Sequence, residues 1–407
     1  MRLFRSLSGF SLLISSAAAL AQPAQLSGFA TVGVSYNESE QYGFRTDVSV
    51  TDGKTNSELD FSSLSRLGIQ LHKQFNTQWG FTGQWVLKSH PDYSLGDVTQ
   101  LAFLSYSPKP NWTIKAGRTA FDLFMMSPYR NIGYAYTATH APIEFYGLIP
   151  HRSIDGIELS SAHATDQGMF STRWYYGKSK DYLTNFDFQW RIALDDIAGA
   201  TLTLEQGNWL WRANYTQAYI DNEPNHYAQL RELAQSVPEQ IWPQAQDIAK
   251  RFKTVDTRLQ YVTLGAKYDN GQYYVQSEIA RVSADSDILS HLHNGYVVFG
   301  TRWQDFTVQL GYSVTHGKRQ QIDKPRLTNP LADELHFQLE RGFNYYVNDQ
   351  STTSLSTRYD FRADMAAKLQ LEYIDLDSSD NQFMLRREVF STPESFTVVS
   401  ATIDWVF

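Results

Sequence analysis

The chain has 407 residues, no cysteine, and 35 basic against 43 acidic residues, giving a formal net charge of −8. No thiol is available for a disulfide framework or a cysteine-ligated metal, and basic stretches such as Lys318-Arg319 are too short for a nucleic-acid surface. Trp, Tyr and Phe make up 14% of the residues although mean hydropathy is only −0.40, and past the leader no apolar run is long enough for a membrane helix. That balance is the one expected of a transmembrane β-barrel, with lipid outside, water inside and aromatic rings at both interfaces. A large soluble β-protein explains it less well, because it needs apolar rather than polar residues inside.

In chain order, Arg2 and Arg5, the apolar run from Phe10 to Leu20 and the Ala19-Leu20-Ala21 site read as a secretory signal over 1–21, cut before Gln22. The rest, 22–407, reads as one barrel. Alternation of apolar and polar residues, the period-two mark of a strand, predicts sixteen strands. They lie near 26–36, 65–76, 78–88, 98–107, 111–120, 153–164, 168–178, 196–206, 209–220, 257–269, 271–283, 293–303, 305–316, 353–363, 365–376 and 396–407. Connections after even-numbered strands are tight turns, among them Asn76-Thr77, Gly207-Asn208 and Asn270-Gly271. Those after odd-numbered strands include the long segments 37–64, 121–152, 221–256, 317–352 and 377–395. Short turns on one rim and long loops on the other distinguish an outer-membrane barrel from a soluble sandwich, and the short rim is periplasmic. Within 221–256, Leu230, Leu233, Val237, Ile241 and Ile248 at helical spacing, broken by Pro238 and Pro243, predict one or two short helices over the mouth. The last strand puts Phe407, Trp405, Ile403, Ala401 and Val399 on one face and Asp404, Thr402 and Ser400 on the other. Its terminal aromatic, Phe407, reads as an assembly signal.

One segment resembles a known family. It reads Lys115-Ala116-Gly117-Arg118-Thr119-Ala120-Phe121, then Gly133-Tyr134-Ala135-Tyr136, Pro142-Ile143-Glu144-Phe145-Tyr146-Gly147 and Ser153-Ile154-Asp155-Gly156. This is similar to the strand-five-to-loop-three region of the Gram-negative porin superfamily. The match spans about forty residues, and a weaker likeness of leader, strand rhythm and terminal aromatic extends over the chain. Where relatives carry consecutive prolines and an arginine before the Glu, this chain has His140-Ala141-Pro142, so the lining of the loop does not carry over. The resemblance implies an up-and-down barrel of about sixteen strands in a homotrimer, with 121–152 folded inward as a constriction. The loop's own apolar content independently requires something to pack against.

Asp122, Arg130, His140, Glu144, His151 and Arg152 are the candidate constriction charges, with salt bridges to the wall as the alternative role for each. Phasing the strands with apolar residues toward lipid sends Arg66, Lys88, Lys115, Arg173, Arg212, Lys267, Arg302, Arg358, Arg362 and Lys368 to the lumen wall. The inward acids on that phasing are fewer: Glu158, Glu205, Glu278, Asp360, Glu372 and Asp404. An anion-preferring porin for small hydrophilic solutes is therefore expected. The expected partners are outer-membrane lipid and lipopolysaccharide, the barrel-assembly machinery and the solutes themselves, with no cofactor, metal or nucleic acid. His291 and His293 form an isolated pair, and no Gly-x-Ser-x-Gly elbow occurs. The alternatives are a barrel hydrolase, which needs a Ser/His or Asp/His group on the outer rim, and a non-conducting structural or adhesin barrel. A plugged active transporter would need about twenty-two strands plus a plug, for which the chain is too short.

Overall fold

The computed structural model describes residues 23–407 except 52, 57, 186–188, 290, 378–381 and 387–391. The signal segment 1–21 lies outside the described residues. Sixteen strands form the wall: β1 Gln25–Asn37, β2 Arg66–Gln74, β3 Trp79–Lys88, β4 Thr99–Lys109, β5 Trp112–Ala120, β6 Ser153–Thr165, β7 Gly168–Thr184, β8 Gln189–Gln206, β9 Trp209–Ile220, β10 Arg258–Asp269, β11 Tyr273–Ala284, β12 Leu292–Trp303, β13 Phe306–Gly317, β14 Gln350–Arg362, β15 Met365–Leu376 and β16 Ser395–Val406. Each pairs antiparallel with its sequence neighbours, and β16 pairs with β1, so the sheet closes and has no free edge. Among the described residues no helix is long and apolar enough to cross a membrane.

The predicted alternation explains which face each side chain takes. In β13, Phe306, Val308, Leu310, Tyr312 and Val314 point outward and are exposed, while Thr307, Gln309, Ser313 and Thr315 are buried on the inner face. Aromatic residues gather outside the short-turn rim, where Trp79 stacks on Tyr106 at 4.6 Å, Phe306 on Tyr359 at 4.6 Å and Trp209 on Trp211 at 5.0 Å. Further up, Tyr312 and Tyr373 stand exposed on the outer face of neighbouring registers. The six steps from Phe306 to Tyr312 span about 20 Å along the strand, the scale of an outer-membrane hydrocarbon band.

Three features depart from expectation. The β7–β8 hairpin is longer than predicted, because alternation continues through Trp190, Ile192 and Leu194. The acidic pair Asp195-Asp196, at the start of the strand predicted near 196–206, sits inside β8 instead, at a bulge where Asp196 has φ 47° and the β7–β8 register shifts. On the long-loop half of β8 to β12 the inner face is apolar: Leu194, Ile220, Leu259, Val282 and Leu292 are buried there. Residues 148–151 and Tyr346 pack over them. Residues 221–256 carry two helices, Asn225–Ser236 and Ala245–Arg251, and the loop after β13 carries a third, Pro330–Asn344, which sequence reading missed. Its signal was present: the Asn329 side chain accepts from the amides of Leu331 and Ala332, and Pro330 occupies the first turn. Trp242, Phe252, Leu339 and Phe343 of these segments join the same core.

The seam between β1 and β16 ends on Phe407, whose amide donates to Gly28 O at 3.0 Å and whose carbonyl accepts from Gly28 N at 2.7 Å. A Cβ on Gly28 would lie 2.3 Å from the Phe407 ring, so the glycine makes the space that the ring occupies. The exposed ring packs on Trp405 at 4.5 Å. Phe407→Asp should therefore lower insertion into the outer membrane, read as folded, heat-modifiable protein at steady state. Insertion at the parent level would show the terminal ring to be incidental.

Candidate functional site

Residues 121–152 leave β5 and return to β6, with the Phe121 amide donating to Arg152 O at 2.9 Å at the loop's neck. Two 3-10 turns and the short helix Ile143–Tyr146 keep the segment compact, and Phe121, Leu123, Phe124, Phe145, Tyr146 and Ile149 are buried with the inner-wall residues. Its polar groups bond to inward side chains on most of the circumference. The Asp122 carbonyl accepts from Thr201 of β8 and from Arg212 and Asn214 of β9. Leu123 O accepts from Thr263 of β10, and the Met125 amide donates to Glu278 of β11 at 2.9 Å. On the far side, the Thr139 amide donates to Gln370 of β15 at 2.9 Å, and Arg358 of β14 donates to the Tyr134 and Tyr136 carbonyls. Gly133 passes so close to the seam that a Cβ there would lie 2.1 Å from Asp404 Oδ1 and 2.3 Å from Thr31 Oγ1.

Four of the six candidate constriction charges are ties to the wall. Asp122, 1% exposed, pairs with Arg173 and Arg212 at 2.9 Å each. Glu144, 0% exposed, accepts from Ser313, Gln350 and Thr352; burial pushes its carboxyl up against the opposing effect of those three bonds. His140 meets Glu372 at 3.0 Å; burial lowers its pKa, but the Glu372 charge and hydrogen bond outweigh this and raise it overall. His151 bonds through Nδ1 to Ser179 at 3.0 Å, while Nε2 is buried without a hydrogen-bond partner among the described residues, beside Ile149, Leu183 and Leu194. These positions are too closely packed for their charges to face an open path.

Burial pushes the His151 imidazole down to about 4. A pKa depressed below the ordinary 6.5 makes this contact favourable above pH 6.5 and progressively lost as pH falls toward 4. The full span is on the order of 3 kcal/mol. Comparing thermal unfolding at pH 7 and pH 4.5, His151→Phe should lose less stability on acidification than the parent does. Parallel losses in both proteins would show that His151 does not carry the effect.

Arg130 and Arg152 behave differently. Together with Arg66 and Lys88 of the wall they surround one carboxylate, Asp47, from the loop after β1. Arg152 donates to Asp47 and to Asn131; Lys88 stands 3.8 Å from Asp47 and donates to Ser49 at 3.2 Å. Arg130 donates to the carbonyls of Ile149 and Tyr146, and Arg66 donates to Arg130 O at 3.4 Å. Burial would raise the Asp47 carboxyl, but Lys88, Arg152 and Arg130 hold it well below the usual carboxylate range. Burial and the neighbouring Arg152 bring the Arg130 guanidinium down to about 10. The next carboxylate, Asp181, is engaged by His90 at 3.1 Å. Sequence reading missed Asp47 and Arg45; the one available signal was an alternating segment, Phe44-Arg45-Thr46-Asp47-Val48-Ser49-Val50, inside a predicted loop.

The other wall cations face inward and are mostly paired. Lys115 reaches Glu158 at 2.8 Å, and Arg173 lies between Glu158 and Asp122. Lys267 and Arg302 share Asp269, Arg358 pairs with Asp360, and Lys368 pairs with Asp404 at 3.0 Å with both fully buried. Lys115 and Arg173 keep 25% and 29% of their side chains exposed. Arg362 is a correction: a register shift after Tyr359 sets it opposite Met365, in the outward row of Trp405, where it pairs with Asp364 at the rim. The bulge reverses its phase. Among the described residues no group of three or more His, Asp or Glu could hold a metal ion.

Compared with known proteins, the sequence matches no family model and no curated protein. Its architecture does match solved structures. An anion-selective porin from Comamonas acidovorans aligns over 95% of this chain and 99% of its own, with TM-score 0.56 and 12% identity. A Salmonella typhi OmpF complex with daunomycin aligns over 94% and 97%, with TM-score 0.54 and 16% identity. The outer membrane channel DcaP of Acinetobacter baumannii aligns over 94% and 97%, with TM-score 0.53 and 13% identity. The chain has the porin fold. Such a porin-like barrel surrounds an interior that loops and side chains can fill or leave open, and here residues 121–152 bond to inward side chains of the wall. Below that loop, on the short-turn side of the porin wall, lies a polar pocket of about 220 Å³ bordered by Thr113, Asp122, Arg173, Thr203 and Arg212.

Proposed function

We propose that the protein is a passive diffusion channel of the Gram-negative outer membrane, narrowed by residues 121–152 and favouring small anions. The supporting observation is the cluster of Arg66, Lys88, Arg130 and Arg152 around Asp47, where cations outnumber carboxylates although the whole chain is acidic. Fixed positive charge beside a narrow aqueous path in a low-dielectric wall attracts anions and repels cations. Diffusion down a gradient needs no cofactor and no energy source, and the same reading expects a homotrimer. Small carboxylates and phosphate-like ions are the solute class that fits.

The test is the reversal potential of the purified channel in a planar bilayer under a potassium chloride gradient. The parent should pass chloride in preference to potassium. Arg66→Gln with Lys88→Gln should lower that preference by roughly two- to five-fold while the barrel still assembles. A cation-selective parent channel would overturn the anion reading, and an assembled barrel with no conductance would overturn the channel reading.

A further inference from the structure

The outer wall carries a second candidate site, on a different face from the lumen. Cross-strand registers place Ile114, Leu159, Trp174 and Ala200 in one outward row, and Ala116, Ile157, Tyr176 and Ala198 in the next row toward the long loops. Between the exposed aromatics Trp174 and Tyr176 and the side chain of Tyr215, the alanines of β8 leave an apolar groove of about 610 Å³. The following row reverses chemistry: Arg118, Asp155 and Lys178 stand in register across β5, β6 and β7, with Lys180 one outward position beyond. Arg191 of β8 closes the side, stacked over Tyr182 at 5.4 Å. Arg118 and Arg191 are held by Asp155 and Asp97 at 2.7 and 3.0 Å. Lys178 and Lys180 are exposed and have no ion-pair partner among the described residues. The four cations border a cleft of about 120 Å³ whose carboxylates, Asp97, Asp155 and Asp181, are engaged by Arg191, Arg118 and His90.

We propose that this surface binds one phosphorylated lipid of the outer leaflet, its acyl chain in the groove and its phosphate on Lys178 and Lys180. The order of the rows carries the argument. An apolar trough ends in free ammonium groups at the long-loop rim, where lipid headgroups lie, and the pre-paired Arg118 and Arg191 frame them. A phosphate offers three strong acceptor oxygens to such donors, and charge-assisted bonds of this kind exceed neutral ones in strength.

The experiment uses the purified full-length barrel in detergent, titrated with bis-phosphorylated lipid A and with the same lipid stripped of both phosphates, and read by native mass spectrometry. The phosphorylated lipid should bind roughly tenfold more tightly. Lys178→Glu with Lys180→Glu should abolish that preference while leaving binding of the stripped lipid unchanged, because both side chains are exposed and carry no packing. Ala200→Trp, which fills the groove, should weaken both lipids. Equal affinity of the parent for the two lipids, or a preference that survives the double charge reversal, would overturn the proposal. A photo-crosslinker at Ala200 that captures another copy of the chain in the native membrane would overturn it as well, by assigning the groove to a protein interface. Neither outcome bears on ion selectivity, so failure here and failure of the channel reading are distinguishable.

Discussion

Lys368→Met should destabilise the barrel by on the order of 3–5 kcal/mol, because it strands the Asp404 carboxylate in a fully buried site. Lys368 also donates to Gly133 O at 2.6 Å, so the variant frees the loop at the same point. Among the described residues Asp404 keeps only hydroxyl donors, Thr31 at 2.6 Å and Thr402 at 3.0 Å, which stabilise a charge less than an ammonium group does. Denaturant unfolding in detergent micelles measures the loss. The double variant Lys368→Met with Asp404→Leu should recover most of it, since two apolar residues of similar size remove the stranded charge. A single variant as stable as the parent would mean that the pair does not hold loop and wall together.

Arg45→Ala should open the mouth. This side chain is fully buried and donates to Phe383 O at 3.1 Å, Thr184 O at 2.8 Å, Val50 O at 3.3 Å and also Gln382 O. It thereby joins the loop after β1, the end of β7 and the loop after β15. Burial brings its guanidinium down to about 10, so it stays charged at neutral pH. Alanine leaves several buried carbonyls without donors, each costing about 1–3 kcal/mol. Such a loss releases loops far more readily than it unfolds a closed sheet. Single-channel conductance should rise, with more frequent current fluctuations, while heat-modifiable mobility is retained. Unchanged conductance in an assembled variant would place the ionic path away from these loops.

The wall was legible because a strand facing lipid on one side and water on the other writes its geometry into every second residue. β13, from Phe306 to Gly317, is a clear instance. Legibility fails where the inner face stops meeting water. Leu194, Ile220 and Val282 point inward yet are apolar, because residues 148–151 and Tyr346 pack over them, and no local pattern announces such a cover. The constriction candidates fail for a related reason. Charge type alone does not separate a group facing an open path from one tying loop to wall: Glu144 is met by Ser313, Gln350 and Thr352, partners that only tertiary structure supplies. Asp47 and Arg45 were hidden because their partners lie far along the chain, as with Thr184 and Phe383. Arg362 shows the limit of counting by two: one bulge inverts a phase that the sequence states without ambiguity.

The position of Gly133 bears on the order of assembly. It rests against Thr31 of the first strand and Asp404 of the last, whose own hydrogen bond spans 373 residues. Bringing such distant strands together carries the largest loop-closure entropy in the sheet, so their pairing is the natural final event of folding. Since the backbone at Gly133 touches both edges, the inner segment must already lie in place when they meet. A sheet that zipped shut first would have to thread a thirty-residue apolar segment through its own mouth afterward. The glycine thus sits where docking and zipping become a single cooperative step, and a larger residue there should trap the protein as an open, protease-sensitive sheet.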